Sequence, residues 1–119
     1  MCIGTIIMSN IKTVRIAARD AWAGASDICE KNAYAQRKMT SVVFENEFLA
    51  NMQIAMQGYA ELKYNGPDSE VYKSFVTAYP LGASVAFDMF GRHTLEQLAE
   101  EGRAIDYVFD LVAAMIEFN

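Results

Sequence analysis

Residues 94–118 read TLEQLAEEGRAIDYVFDLVAAMIEF. Leu95, Leu98, Gly102, Ile105, Phe109, Val112 and Ile116 recur in steps of three and four, the spacing of one face of an α-helix. Ala104, Val108, Leu111 and Met115 add a second stripe, so a helix here needs neighbours on more than one side. Thr94-Leu95-Glu96-Gln97 has the form of a capping box, in which the Thr oxygen and the Gln side chain each satisfy one orphan amide of the first turn. Gly102 falls on the seam, where a missing Cβ lets another helix approach closely. The stretch predicts one continuous core helix over 95–118, with Asp106, Asp110 and Glu117 left to water.

The same spacing extends upstream. Ile11, Val14, Ala18, Ala21, Ala25 and Ile28 predict helix over 10–37, narrow along its alanine seam, with Trp22 beside the seam. Gly24, Ser26 and Asp27 leave open whether this is one helix or two, the second capped from Asp27 and running to Lys38. Thr40 and Ser41 offer N-cap oxygens before Phe44, Phe48, Met52, Ala55, Tyr59 and Leu62, which predicts helix over 41–64. Val42-Val43-Phe44 suits a strand but merges into that pattern without a turn. Asn65-Gly66-Pro67-Asp68 is the clearest punctuation in the chain, short enough to make its flanking helices antiparallel neighbours. Val71 to Tyr79 forms a further amphipathic segment that Pro80 ends or kinks, and Gly91 is placed as a left-handed cap after Phe90. The fold predicted for residues 1–119 is a single all-α domain, a compact bundle of about five helices, longest near 10–37, 41–64 and 95–118. Residues 1–9 read as a loose extension or a short edge strand, with either Met1 or Met8 as the translation start.

Composition narrows the function classes. A chain of 119 residues with 53% apolar content is long enough to bury a core without disulfides or metals. Its formal charge of −5 argues against general nucleic-acid binding, which draws on a surplus of Lys and Arg. Residues 1–40 hold six basic and three acidic groups, and residues 41–119 hold four basic and twelve acidic ones. An acidic face on the later helices that steers a basic partner is one reading of this split, and plain solvation is the other. Cys2 and Cys29 read as buried structural thiols, which sets a reducing, cytoplasmic compartment as the expectation. The apolar opening, Met1 to Met8, is too short for a membrane span and has no basic leader.

Catalytic chemistry finds little support in the residues. His93 is the only imidazole and sits between Arg92 and Thr94, away from any Ser or Cys that would make a nucleophile pair. The glycines form no phosphate loop. Glu45, Glu47, Glu96, Glu100 and Glu101 lack the paired Glu-x-x-His motifs of a carboxylate-bridged metal site. No catalytic residue, cofactor or metal is therefore expected. Phe44, Phe48, Met52, Met56, Tyr59, Tyr72, Phe75 and Tyr79 suit a core or the lining of an apolar ligand pocket. Ile16, Trp22, Tyr34, Val42, Ile54, Tyr64, Tyr107 and Leu111 lie at the edges of, or off, the main seams. A monomer must expose some of them, which points to a protein-protein surface, with a homodimer the simplest case.

Thr94 to Met115 resembles a helix-turn-helix in outline, with Gly102 near the turn and Ile105 and Val108 heading a second helix. It departs from the motif where bases are read, because Ile105 to Asp110 offers acids and hydrophobics in place of Arg, Lys, Asn or Gln. The expectation is a small acidic interaction protein that binds a larger protein through Glu96, Glu100, Arg103, Asp106 and Asp110 and regulates or inhibits it. The general type suggests a phage or mobile-element accessory protein directed at a host nuclease or defence complex. The alternative is a DNA-associated transcriptional regulator that uses Lys12, Arg15 and Arg19 with a degenerate helix-turn-helix near 94–116.

Overall fold

The computed structural model describes residues 2–118. The chain is mostly helical, as its spacing predicts, but it also contains a two-stranded parallel sheet. The order is α1 (Cys2–Met8), β1 (Thr13–Ile16), α2 (Ile28–Lys31), α3 (Ala33–Lys38), β2 (Ser41–Phe44), α4 (Glu47–Asn65), α5 (Glu70–Ala78), α6 (Pro80–Gly91), α7 (Thr94–Glu100) and α8 (Ile105–Glu117).

The predicted helix over 10–37 is absent up to Asp27; its alternative second part, from Asp27 to Lys38, appears as the short α2 and α3, interrupted at Asn32, whose side chain caps α3. Thr13-Val14-Arg15-Ile16 is a strand whose residues alternate between exposed and half-buried, the period-two signature of a pleated surface. Three of its four residues are β-branched, a type that fits this surface better than a helix. Its partner is Ser41 to Phe44, in register Thr13↔Ser41 through Ile16↔Phe44. The Ser41 N–H donates to the Lys12 carbonyl and the Glu45 N–H to the Ile16 carbonyl, each at 2.8 Å. The strands are parallel because residues 17–40 form the crossover that parallel pairing requires. Val42 and Val43 thus belong to a strand, and the helix predicted from 41 begins at Glu47 instead. Asn46 caps it by accepting from the Leu49 N–H at 2.9 Å, while Thr40 and Ser41 hydroxyls donate to the Ile11 and Lys12 carbonyls. Residues 2–8 are neither loose nor an edge strand. They form α1, whose Ile7 is buried with Cys29 and Ala35 under Val42. Cys29 is buried as expected and Cys2 is exposed; Met1 lies outside the described residues.

α4 organises the rest. One side packs Ala50, Ile54 and Leu62 against Tyr72 and Phe75 of α5 and Ala83 and Ala86 of α6. Its other side packs Met52, Ala55 and Tyr59 against Val85 and Met89 of α6 and Val112 and Ile116 of α8. Ile54, expected at an edge, is 2% exposed and lies at the centre of the first cluster. α6 approaches α4 so closely that a Cβ on Gly82 would lie 2.8 Å from the Asn51 carbonyl oxygen. Buried Asn51 accepts from the Gly82 N–H at 2.9 Å and donates to the Glu47 carbonyl at 3.0 Å, so this polar group in the core is satisfied. Gly66 takes positive φ between α4 and α5 as predicted, and Ser69 caps α5. Pro80 begins α6 at its first helical position, where its missing N–H costs nothing.

Three helix ends differ from the prediction. Thr94 starts α7 without a capping hydrogen bond, and the residue before it, His93, takes left-handed φ of 52°. His93 rather than Gly91 therefore supplies the left-handed residue after α6, with its N–H donating to Phe90 at 3.1 Å. The helix predicted over 95–118 is two helices. Gly102 has φ of +67°, its N–H donates to Ala99 and the Arg103 N–H donates to Leu98, each at 3.1 Å. These are the two hydrogen bonds of a Schellman cap, with glycine in the position that demands positive φ. No heavy atom lies within 4 Å of a Cβ placed there, so close helix approach is not the reason for this glycine.

The molecule is elongated. Its radius of gyration is 16.3 Å and its extents are 48 × 31 × 25 Å, against about 13.5 Å for the radius of a compact domain of this length. The β1–β2 unit joins the helices through Ala18, whose N–H donates to Gln53 at 2.9 Å, and Arg19, whose N–H donates to the Tyr79 hydroxyl at 2.8 Å.

Candidate interaction surface

Breaking the last helix at Gly102 decides what α8 displays. Val112 and Ile116 are buried against α4 and α6, with Val108 and Met115 half-buried beside them. Towards the start of α8 the same stripe continues into Ile105 and Phe109, which the sequence places in the buried seam. They are instead 72% and 47% exposed. The predicted seam is buried only at Leu98, Val112 and Ile116; Gly102, Ile105 and Phe109 are exposed. Met52 and Met56 of α4 and Ile105, Val108, Phe109 and Val112 of α8 enclose a wholly apolar cleft of about 90 Å³. Exposed Tyr107 lies on the same turn.

Of the five predicted contact residues, Asp106 and Asp110 stand one turn apart on α8, exposed and without an ion pair among the described residues. They are sequence neighbours of Ile105 and Phe109, so the apolar lip carries acids at its border. Glu100 is also exposed, at the end of α7. Arg103 donates to Glu101 at 3.1 Å and its guanidinium lies 4.7 Å from the Tyr107 ring centroid. Its hydrogen bond to the Glu101 carboxylate raises the Arg103 pKa above the ordinary arginine value. Glu96 does not share this outer edge. It turns back towards α4, where Oε1 meets Lys63 Nζ at 3.4 Å and Oε2 is buried without a hydrogen-bond partner among the described residues. The linear grouping of Glu96 with Asp106 and Asp110 fails because the bend at Gly102 changes the helix direction between them.

The aromatic and methionine cluster is divided by α4. Tyr72 and Phe75 join one core cluster, Met52 and Tyr59 the other, and Phe44 lies exposed on β2. Tyr72 donates to the Ala83 carbonyl at 2.8 Å, and burial raises its phenol pKa above the ordinary value. Trp22, Tyr34 and Tyr64 are exposed, as expected of residues off the seams. His93 is exposed and its ring lies 6.4 Å from that of Phe90. Among the described residues, no three His, Cys, Asp or Glu side chains gather as a metal site, and no helix is long and apolar enough to cross a membrane. The signal for the surface was present in the sequence as Gly102, a C-cap residue followed by a fresh apolar turn.

Comparison with protein-family models, with curated proteins and with solved structures gives no match for this chain.

Proposed function

We propose that the chain acts by binding another protein through the first turns of α8, and that its partner presents an apolar anchor flanked by Lys or Arg. One observation carries the proposal: Ile105 and Phe109 stand exposed at an all-apolar cleft, and each is followed in the sequence by an exposed acid, Asp106 and Asp110. An apolar centre with a charged rim is the usual anatomy of a protein interface, and the rim sets orientation and encounter rate more than affinity. Residues 94–118 carry six acids and one Arg, so a basic partner is favoured over an acidic one. Regulation or inhibition of a larger protein is the role that suits such a surface, in a phage or mobile-element accessory protein as in any other small adaptor.

The test uses fluorescence anisotropy with two labelled amphipathic helical peptides that share an apolar face, one lysine-rich and one glutamate-rich. The basic peptide is expected to bind, to weaken as salt rises, and to lose affinity by about tenfold or more with Ile105→Ser. Equal binding of both peptides, or binding indifferent to Ile105→Ser, would show that this surface is not the site.

The turn at Gly102 also favours a second reading, a DNA-associated regulator in which α7 and α8 form a helix-turn-helix. Against it, the exposed start of α8 carries Ile105, Asp106, Phe109 and Asp110, which offer bases no donors and phosphates repulsion. A gel shift with duplex DNA at low salt tests it, and no retardation at micromolar protein removes it.

A further inference from the structure

The parallel strands end in a pocket that the helical surface does not use. In open sheets with parallel strands, ligands bind beyond the carboxyl ends, where the connections diverge. β1 ends at Ile16 and β2 at Phe44, and both residues line a cavity of about 420 Å³. That volume lies in the range of small-molecule sites. Ile3 and Ile6 of α1 line it together with Val14 and Ile16 of β1, which gives it an apolar part.

Arg19 and Asp20, three and four residues beyond the end of β1, add charged groups to its lining. The Arg19 guanidinium carbon lies 4.0 Å from the Phe44 ring centroid, and among the described residues the guanidinium has no hydrogen bond or ion pair. A flat guanidinium stacked on an aromatic ring keeps its N–H edge free for a planar anion. Asp20 spends one carboxylate oxygen on the N–H groups of Trp22 at 2.9 Å and Ala23 at 3.0 Å, and the other has no partner among the described residues. The Arg19 backbone is held by the Tyr79 hydroxyl and its neighbour Ala18 by Gln53, so the pocket's edge is fixed from α4 and the α5–α6 junction.

We infer that this pocket binds a small apolar carboxylate, its hydrocarbon body against Ile3, Ile6, Val14 and Ile16 and its carboxylate on Arg19. Asp20 lines the same pocket with one carboxylate oxygen free among the described residues, able to take an α-ammonium, so the ligand is either a simple branched acid or an apolar amino acid. The site is separate from the α8 surface and stands or falls independently of it.

Trp22, the only tryptophan, adjoins the lining residue Ala23 and reports on the pocket by fluorescence. The full chain is titrated with 4-methylpentanoate, with leucine and with the neutral 4-methylpentanamide. Saturable binding of a carboxylate is expected, with the amide weaker by about tenfold or more, the worth of one charge-assisted pair. Arg19→Gln should remove that preference, and Ala23→Leu, which adds bulk at an exposed lining position, should weaken both carboxylates. Unchanged circular dichroism keeps either result apart from misfolding. Tighter binding of leucine, abolished by Asp20→Asn, assigns the site to amino acids; equal or weaker binding of leucine assigns it to simple acids. No saturable signal at millimolar ligand, or amide and carboxylate binding alike, overturns the inference.

Discussion

Gly82→Ala is expected to destabilise the fold although alanine is the better helix former. A Cβ at position 82 would sit 2.8 Å from the Asn51 carbonyl oxygen, 3.0 Å from the Ile54 Cβ and 3.1 Å from the Ile54 Cγ2. The first is backbone and the others belong to a β-branched side chain that is 2% exposed, so none can swing aside. α6 must retreat from α4 by roughly half an ångström to restore ordinary contact, and the cluster of Ala50, Ile54, Ala83 and Ala86 loosens with it. Overpacking of this kind costs about 1–3 kcal/mol, and the gain in helix propensity returns at most about 1 kcal/mol. From a mid-range cost of about 2 kcal/mol the net loss is about 1 kcal/mol, or a fall in Tm of about 3–6 °C for a chain of this size. Urea denaturation followed by circular dichroism measures it. Gly91→Ala is the control, because it lies in the same helix with nothing within 4 Å of the added methyl. That variant should hold or gain up to about 1 kcal/mol. Gly82→Ala matching the wild type in midpoint and slope would refute the close α4–α6 crossing from which the cost is derived.

Gly102→Ala separates an elbow from a continuous helix by the sign of its effect. With φ of +67° the substitution should cost about 1 kcal/mol by thermal denaturation, and Gly102→Asn less; an uninterrupted helix would be stabilised by a similar amount. Tyr72 links stability to alkaline pH. Its folded pKa is raised above the 10.0 of an exposed phenol, so its contribution is complete below pH 10.0 and is lost as pH climbs through the folded value. Tyr72→Phe should remove that share of the alkaline fall in ΔG of unfolding, and should cost about 1 kcal/mol at neutral pH through the lost bond to Ala83.

Much of the helical half was legible because its signals are local. Gly66 with positive φ, Pro80 at the head of α6 and the buried stripes of α4 all follow from residue type and spacing. The N-terminal half misled for a definable reason. Ile11, Val14 and Ala18 satisfy a three-four spacing, yet Val14 and Ile16 equally satisfy a period of two, and a stretch of four residues is too short for periodicity to decide. What decides is that Thr13 to Ile16 finds Ser41 to Phe44, a pairing across nearly thirty residues that neither segment encodes alone.

The interaction surface divides in the same way. By itself the sequence determined the apolar stripe from Leu98 to Ile116, the acids beside it and a glycine able to end a helix, since each is a property of residue type and local spacing. Only the tertiary structure decided that Gly102 closes a Schellman cap, that Glu96 turns back to Lys63, and that α4 leaves Ile105 and Phe109 uncovered. Periodicity says which face of a helix is apolar, and burial depends on which part of that face its neighbours pack against.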